Sequence, residues 1–305
     1  MEAKPKLVII TGPTGAGKSE LALEVALALG GQIINADSLA FYRGLDIGTA
    51  KPSFEERRKV PHHLIDILEP NEPFSAADFM RLARPLIFEL CSKGLPPLVV
   101  GGTGLYLRSL TGGLFEGPGR DQRYRDQLKK MAASGTDLYE LLRQKDPDSA
   151  AQIKPSDPTR IVRALEVLRL TGEGISAHQR RHALSDRPFE VLTLVIDRPI
   201  KESEERLKLR TKGMFEMGLV EELKNLLAQG YAQDCKPFQS VGYRECLAIL
   251  AGRLDLKQAQ ELVFIRTRQL AKRQRTWFRG QTPEATWLYP DFSSVLALVK
   301  DFLAK

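Results

Sequence analysis

The chain has 305 residues, of which 43% are hydrophobic, so it can bury the core of one large domain or of two smaller ones. Lysine and arginine outnumber aspartate and glutamate by 45 to 38, and the net charge of +7 favours a polyanionic partner without requiring one. Cys91, Cys235 and Cys246 lack the close pairing of a zinc site or a disulfide framework, which is typical of a reducing cytoplasm. Neither a signal sequence nor a membrane-spanning stretch is visible, so we expect a cytoplasmic protein with no membrane partner.

Short apolar runs alternate with helical patterns from the amino terminus onwards, and the runs predict strands. The predicted strands cover residues 6–11, 32–37, 95–100 and 190–197. A helix is predicted over 18–29, and long helices over most of 200–281. This order predicts an α/β fold with a doubly wound parallel sheet.

Between residues 116 and 190 the apolar spacing becomes helical, as in Leu138, Leu141 and Leu142. The Pro-Ser-Asp-Pro sequence at 155–158 predicts the start of a helix within this stretch. We therefore predict an all-helical insertion domain at 116–190 and a catalytic core formed by 1–115 and 191–305.

A phosphate-binding loop is predicted between the first strand and the first helix, the setting that this motif requires. The sequence that matches GxxxxGK[ST] is Gly12-Pro13-Thr14-Gly15-Ala16-Gly17-Lys18-Ser19. Its backbone N–H groups can surround phosphate oxygens, Lys18 can neutralise them, and the Ser19 hydroxyl can bind Mg²⁺. A chance glycine-rich turn is the alternative. The motif indicates a polyphosphate ligand, and both a nucleoside triphosphate and a diphosphate ester would fit.

Nucleotide hydrolases with this loop usually have an acidic residue at the end of a neighbouring strand. The strand at 95–100 runs instead into Gly101 and Gly102. Asp197 could supply the acid, although an aspartate before Arg198 and Pro199 also suits a turn or a helix cap. ATP hydrolysis is therefore not the favoured activity.

Eight further sequence blocks, in order along the chain, resemble the tRNA dimethylallyltransferase family. They are NADS at 35–38, YRGLDIGTAKP at 42–52, HHLID at 62–66, SAADF at 75–79, GGTGLY at 101–106, RALE at 163–166, VGYR at 241–244 and TRQLAKRQ at 267–274. The chain departs from the family pattern at Gly15-Ala16, often Ala-Ser, and at Leu39-Ala40, often Met-Gln. It also lacks the zinc-finger extension of some relatives.

The resemblance implies a P-loop NTPase-like fold and transfer of a dimethylallyl group from dimethylallyl diphosphate to tRNA. The acceptor would be the N6 amine of the adenine 3′ of the anticodon, in tRNAs that read codons starting with U. An exocyclic amine is a poor nucleophile, so a base that removes its proton assists the reaction. Asp37 matches the family's base, whereas a strand-end aspartate on its own would suggest a turn or a helix cap.

Departure of the diphosphate places negative charge on an oxygen, which Lys18, Mg²⁺ on Ser19 and the loop amides can oppose. Arg210 matches the family's diphosphate-binding arginine and shares a helix face with Arg206; an exposed, ion-paired helix is the alternative. Thr103 matches a threonine near the reacting adenine, although it also suits a glycine-rich turn. The predicted catalytic residues are thus Lys18, Asp37, Thr103 and Arg210.

The target adenine must leave its stack to react, so the protein should hold the anticodon stem-loop through basic residues. By family match, the predicted tRNA-binding residues are Asp37, Ser38, Leu39, Ala40, Thr103, Arg125, Thr159, Arg160, Ile161, Val162, Arg163, Gln239, Ser240, Val241, Gly242, Tyr243 and Arg244. We expect the protein to act as a monomer.

Two other features are open to more than one interpretation. Arg268, Lys272, Arg275 and Arg279 share one helix face, which is either a solvated charged surface or, given few acids between 262 and 283, an RNA contact. His62 and His63 would point to opposite faces of a strand, so we interpret them as structural rather than as a metal site.

Two other functions share parts of this pattern. A small-molecule kinase would have the P-loop, the Asp37 base and an arginine-bearing lid, and it would transfer phosphate from ATP. An RNA-binding switch driven by a nucleoside triphosphate would suit the net charge and the insertion, but it lacks an acid on the central strand.

Overall fold

The computed structural model describes residues 4–115, 117–182 and 186–305. The chain divides into two compact units, Met1–Thr111 with Pro188–Lys305 and Gly112–Arg187. The predicted insertion begins at Glu116, which lies outside the described residues, as do 1–3 and 183–185.

The larger unit contains a six-stranded sheet in the order β3-β2-β4-β1-β5-β6, with every neighbouring pair parallel. The strands are β1 (Lys6–Thr11), β2 (Gln32–Asn35), β3 (His62–His63), β4 (Pro97–Val100), β5 (Glu190–Ile196) and β6 (Thr286–Leu288). The four strands predicted from apolar runs do not include β3 and β6, which are too short for a periodic pattern, although His62 and His63 were interpreted as residues of a strand. The α/β fold class is confirmed.

Helices connect and cover the strands. In chain order they are α1 (Lys18–Leu29), α2 (Phe54–Lys59), α3 (Ala76–Ser92), α4 (Gly104–Gly112), α5 (Gln122–Ala133), α6 (Leu138–Lys145), α7 (Pro147–Ala150), α8 (Pro158–Thr171), α9 (Ile175–His182), α10 (Ile200–Glu216), α11 (Leu219–Ala228), α12 (Tyr243–Leu250), α13 (Leu256–Gln281) and α14 (Phe292–Ala304). A short 3₁₀ helix, Lys236–Gln239, precedes α12. No helix in the described ranges is long and apolar enough to cross a bilayer.

The centre of the sheet is apolar on both faces. Strand β1 pairs with β4 and β5, and its residues from Leu7 to Thr11 are buried, as is usual in a parallel sheet covered by helices. Val8 and Ile10 pack with Val25 of α1 and Val295 of α14. Because the strands are parallel, the loops after β1, β2, β4 and β5 all leave the sheet at its carboxyl edge, where ligands of such sheets bind.

The smaller unit contains helices α5 to α9, as expected for an all-helical insertion. Its core includes Leu128, Leu142, Ile161 and Leu165. Aspartate N-caps start several of these helices; the carboxylate of Asp157, for example, accepts from the backbone N–H of Arg160. The helix start predicted at 155–158 is confirmed, since Asp157 is the N-cap and Pro158 the first residue of α8.

Candidate active site

The phosphate-binding loop occupies the turn from β1 to α1, as predicted. Gly12 has a φ of 145°, and a Cβ there would lie 2.0 Å from the carbonyl oxygen of Ile196, so only glycine fits. Lys18 is the first residue of α1 and Ser19 the second, which places both at the positive end of the helix. An anion placed in this turn would meet backbone N–H groups and the Lys18 ammonium together.

A cavity of about 510 Å³ opens beside this loop within the larger unit. Thr14, Lys18, Ser19 and Arg210 line its phosphate-binding side. The rest of its wall comes from the loops after β2 and β4, from residues 49–52, and from apolar side chains. That wall includes Leu23, Ile33, Asn35, Asp37, Ala40, Thr49, Ala50, Lys51, Pro52, His62, Ile65, Val100 and Gly101. The cavity thus combines an anion-binding end with an apolar surface; the carboxylates that line it are those of Glu20, Glu56 and Asp37.

The charges of Lys18, Arg210 and Asp37 influence one another in the cavity. Burial lowers the pKa of Lys18 to about 8; Asp37 acts in the opposite direction, and Arg210 adds to the lowering. Burial also lowers the pKa of Arg210, and Asp37 again opposes it. The Arg210 guanidinium lies 3.5 Å from both the Thr14 hydroxyl and the Thr49 carbonyl oxygen. Lys18 and Arg210 are thus two desolvated cations opposed by the charge of Asp37 alone, which favours a negatively charged ligand beside them.

Asp37 lies two residues beyond the end of β2, in a turn held by Asn35. The Asp37 N–H donates to Asn35 Oδ1 at 2.9 Å, and Asp37 Oδ1 accepts from the Leu39 N–H at 3.0 Å. The carboxylate therefore stabilises its own turn, the structural role that its position at a strand end suggested, and it also lines the cavity. These two roles are compatible, because the turn fixes the direction of the side chain.

Thr103 links the loop after β4 to the loop that carries Asp37. Its hydroxyl oxygen accepts from the Ser38 N–H at 3.1 Å, and its own N–H donates to the Ala36 carbonyl at 3.3 Å. The Thr103 hydroxyl is therefore used within the glycine-rich turn, next to the predicted base.

The neighbouring arginine on α10 behaves differently from Arg210. Arg206 pairs with Glu20 at 3.2 Å and is partly exposed, so the ion-paired interpretation applies to it. Asp197 is also paired inside the protein, because Arg275 Nε donates to both of its carboxylate oxygens at 2.9 Å. The aspartate that might have served a nucleotide hydrolase is therefore a structural ion pair.

The two histidines lie in β3 and contact different partners. His62 Nδ1 lies 2.7 Å from the Val60 carbonyl oxygen, and His63 Nε2 lies 2.6 Å from Gln32 Oε1. Burial lowers the pKa of both rings, which favours their neutral forms. In the described ranges no group of three or more His, Cys, Asp or Glu side chains could hold a metal ion.

Two family models match the chain, one described as IPP transferase over residues 40–281 and one as isopentenyl transferase over residues 5–66. A tRNA dimethylallyltransferase of Geobacter metallireducens is 48% identical over 305 residues, which cover 99% of this chain and 98% of that relative. A tRNA dimethylallyltransferase 1 of Trichlorobacter lovleyi is 46% identical over 296 residues, 96% of this chain and 97% of the relative. The chain belongs to the tRNA dimethylallyltransferase family.

Solved structures of the family agree with this assignment. The full-length tRNA isopentenylpyrophosphate transferase of Bacillus halodurans superposes with a TM-score of 0.73 at 38% identity, covering 99% of this chain and 96% of that one. A eukaryotic dimethylallyltransferase described as acting on tRNA superposes with a TM-score of 0.82 at 28% identity, covering 98% of this chain and 79% of that one. The P-loop NTPase-like fold that the sequence predicted is therefore shared with members of this family.

The insertion carries six of the residues that family resemblance assigns to tRNA, and their side chains differ in exposure to solvent. Thr159 and Arg160 are exposed on α8, and Arg160 lies 3.4 Å from Asp157. The Ile161 side chain is buried in the core of the insertion, so it can offer RNA only backbone atoms. Val162 also packs against that core. Arg160 is thus the most available cation of this group.

Arg163 and Arg125 converge on Glu166, whose side chain is completely buried. Arg125 donates to both Glu166 oxygens at 2.6 and 2.7 Å, and Arg163 donates to Oε2 at 2.5 Å. Burial acts to raise the pKa of Glu166, but these hydrogen bonds outweigh it and hold the pKa at about 2. Both arginines therefore stabilise the insertion itself, a role that sequence spacing did not indicate.

The segment 239–244 of the larger unit also contains both exposed side chains and side chains that serve the protein's own packing. Gln239 is exposed, and Arg244 is partly exposed beside the buried Glu245. Tyr243 is fully buried, and its hydroxyl donates to Glu222 at 2.6 Å. The side chain of Tyr243 thus serves packing and cannot contact RNA in this arrangement.

Helix α13 uses its basic face mostly within the protein. Arg275 holds Asp197, Arg268 lies 3.3 Å from Glu204, and the Arg279 guanidinium lies over the Trp287 ring. Of the four side chains, Lys272 is exposed to solvent with no partner described in the structure. The face is therefore neither a freely solvated charged surface nor a set of four cations available to RNA, because three of its side chains contact other elements of the protein.

Proposed function

We propose that this protein transfers a dimethylallyl group from dimethylallyl diphosphate to the N6 amine of the adenine 3′ of the anticodon, in tRNAs reading codons that start with U. One observation carries the proposal. A single cavity presents Lys18 and Arg210 beside the phosphate-binding loop together with the Asp37 carboxylate. Such a site can bind a diphosphate and deprotonate an amine in the same enclosure.

On the acceptor side, the adenine amine attacks the first carbon of the dimethylallyl group. The new C–N bond forms as the bond from that carbon to the diphosphate oxygen breaks, and the oxygen leaves with the electron pair. Asp37 takes the proton that the amine nitrogen loses, and its turn with Asn35 and Leu39 keeps the carboxylate in place.

On the donor side, the leaving diphosphate gathers negative charge. Lys18 and Arg210 are desolvated cations in the cavity, so their interaction with that charge is stronger than it would be in water. The remaining donors are backbone N–H groups at the start of α1. The apolar wall around Leu23, Ile33 and Ile65 provides surface that suits a short hydrocarbon chain.

Mg²⁺ fits this site as an ion that arrives with the diphosphate. The donor set supports this, because Ser19 offers one hydroxyl at the start of α1, and Mg²⁺ is commonly held by one or two protein groups plus phosphate oxygens and water. When bound, the ion would neutralise part of the charge on the leaving group.

The tRNA anticodon stem-loop is the proposed second substrate, held through exposed polar groups of the family-matched segments. Arg160, Thr159, Gln239 and Arg244 are the side chains that best suit phosphate or base contacts. Ser38, Leu39, Ala40, Ser240, Val241 and Gly242 remain proposed contacts through the loops they occupy. The net charge of +7 suits such a partner.

The kinase and the nucleotide-driven switch lose their support once the family is assigned. The deciding test incubates the protein with dimethylallyl diphosphate, Mg²⁺ and an anticodon stem-loop, followed by mass analysis of the nucleosides. The expected product carries one dimethylallyl group on one adenosine. A stem-loop with guanine at that position is the matched control and should stay unmodified. Absence of prenylated adenosine, or modification of both substrates, would contradict the proposal.

A further inference from the structure

The side chain of Gln274 in α13 joins two loops that lie far apart in the sequence. Its Oε1 accepts a hydrogen bond from the Thr14 N–H at 2.8 Å, and its Nε2 donates to the Gly102 carbonyl oxygen at 3.0 Å. Both distances are typical of N–H···O hydrogen bonds, so one side chain bridges the phosphate-binding loop and the loop after β4.

These two loops carry the two halves of the proposed reaction. Thr14 belongs to the diphosphate side, and its hydroxyl lies 3.5 Å from the Arg210 guanidinium. Gly102 precedes Thr103, which accepts from the Ser38 N–H beside Asp37. The Gln274 amide therefore fixes the loop that holds the leaving group relative to the loop that supports the base.

The local structure is built around this contact. A Cβ at Gly102 would lie 2.5 Å from Gln274 Nε2, so glycine at this position permits the approach. Helix α13 is held next to Gln274 by Arg275, which bonds to Asp197 and, at 2.9 Å, to the Ser203 hydroxyl. Because the Thr14 N–H is already bonded to Gln274, Gln274 constrains the loop rather than binding phosphate itself.

We propose that Gln274 is a positioning residue that sets the distance between the isoprenoid diphosphate and the acceptor amine above Asp37. This inference rests on the proposed prenyl transfer. Displacing reacting groups by about 1 Å can reduce a rate by roughly 10²-fold even when both substrates still bind. Loss of Gln274 should therefore lower the rate at saturation and leave the two affinities nearly unchanged.

The test compares Gln274→Met with Gln269→Met, which makes the same chemical change at an exposed position of the same helix. We expect the single-turnover rate of Gln274→Met to fall by roughly 10- to 100-fold, with dissociation constants for dimethylallyl diphosphate and the stem-loop within about threefold of wild type. Gln269→Met should match wild type. A normal rate, or a loss explained by weaker binding alone, would overturn the positioning role.

Hydrogen exchange at the Thr14 amide gives a second measurement. This amide should be protected in wild type, exposed to exchange in Gln274→Met, and protected in Gln274→Glu, which keeps the accepting oxygen but lacks the donor to Gly102. If Gln274→Met fails to fold, Gln274→Glu still tests the inference, since its saturating rate should fall. If neither the wild type nor Gln269→Met transferred a prenyl group, that result would instead refute the proposed function.

Discussion

Arg275 Nε lies 2.9 Å from each carboxylate oxygen of Asp197, and Asp197 Oδ1 also accepts from the Arg198 N–H at 2.9 Å. Both side chains are largely buried. Asp197 follows β5 and is the acid that could have served a nucleotide hydrolase. This pair joins the end of β5 to α13, and the next residue, Arg198, donates from Nε to the Ala16 carbonyl oxygen of the phosphate-binding loop at 3.1 Å.

ATP should therefore compete poorly for this site. We expect micromolar ATP to leave the binding of dimethylallyl diphosphate unchanged, measured by competition in the presence of Mg²⁺, because Asp197 is held by Arg275 instead of serving a nucleotide-bound metal. Asp197→Asn should lower the free energy of unfolding and leave diphosphate affinity close to wild type. Equal competition by ATP would contradict this prediction.

Asp37→Asn should reduce turnover by roughly 10² to 10⁴. The amide keeps an oxygen that can accept from the Leu39 N–H, so the turn should persist, but the amide cannot take a proton. Single-turnover assays, with binding of the stem-loop measured separately, check this outcome. A loss of RNA affinity as large as the loss of rate would assign Asp37 a structural role.

The affinity for dimethylallyl diphosphate should fall as the pH rises above about 8, the pKa of Lys18. Below that pH the ammonium is already charged and the affinity is independent of this group. Above it, binding must take up a proton, so the dissociation constant should rise by up to about tenfold per pH unit. Lys18→Arg keeps a charge that does not titrate in this range, and its affinity should stay level from pH 7 to about 9.5. A level profile in wild type would argue against the lowered pKa.

Arg210→Ala and Arg160→Ala should separate the two substrates. Without Arg210, dimethylallyl diphosphate should bind more weakly and turnover should drop, while RNA affinity measured alone stays near wild type. Without Arg160, RNA affinity should fall and its salt dependence weaken by about one phosphate contact. Filter binding across a salt series measures both. If RNA affinity fell in Arg210→Ala but not in Arg160→Ala, the RNA would have to bind at the core and not at the insertion.

Arg163→Ala belongs to a different class of variant, although sequence resemblance grouped it with Arg160. Removing it takes one donor from the buried Glu166 while Arg125 and the Asp121 N–H remain, which can cost about 1 to 3 kcal/mol of stability. We expect thermal unfolding of Arg163→Ala to begin at a lower temperature, with Arg160→Ala as the control that unfolds normally. Unchanged stability in Arg163→Ala would mean that Arg125 alone satisfies Glu166.

The parts of the site predicted from sequence are those encoded locally. The phosphate-binding loop and Asp37 follow buried strands directly, so neighbouring residues determine where they lie. The predicted second strand extended to Asp37, whereas β2 ends at Asn35 because the Asn35 side chain bonds the Asp37 N–H in place of a neighbouring strand. Such local competition between side chain and backbone is hard to predict from composition.

Contacts between distant segments could not be predicted in this way. A spacing of four residues put Arg206 and Arg210 on one face of α10, where both line the cavity. Only the fold shows that Arg206 pairs with Glu20, whereas Arg210 is desolvated. Gln274 lies in a block that resembled the family, yet nothing in the block identifies Thr14 as its partner. The domain limits, the residues that touch RNA and the monomeric state stay predictions.

The Glu222 carboxylate accepts hydrogen bonds from the N–H groups of Asp46, Ile47 and Gly48 as well as from the Tyr243 hydroxyl. The loop it holds continues into Thr49 and the cavity wall. A mutational scan of 239–244 that measured only tRNA modification would consequently combine two different effects. Changes at Gln239 would alter what the surface offers to RNA, whereas changes at Tyr243 would loosen a wall of the diphosphate cavity and resemble a defect in RNA recognition.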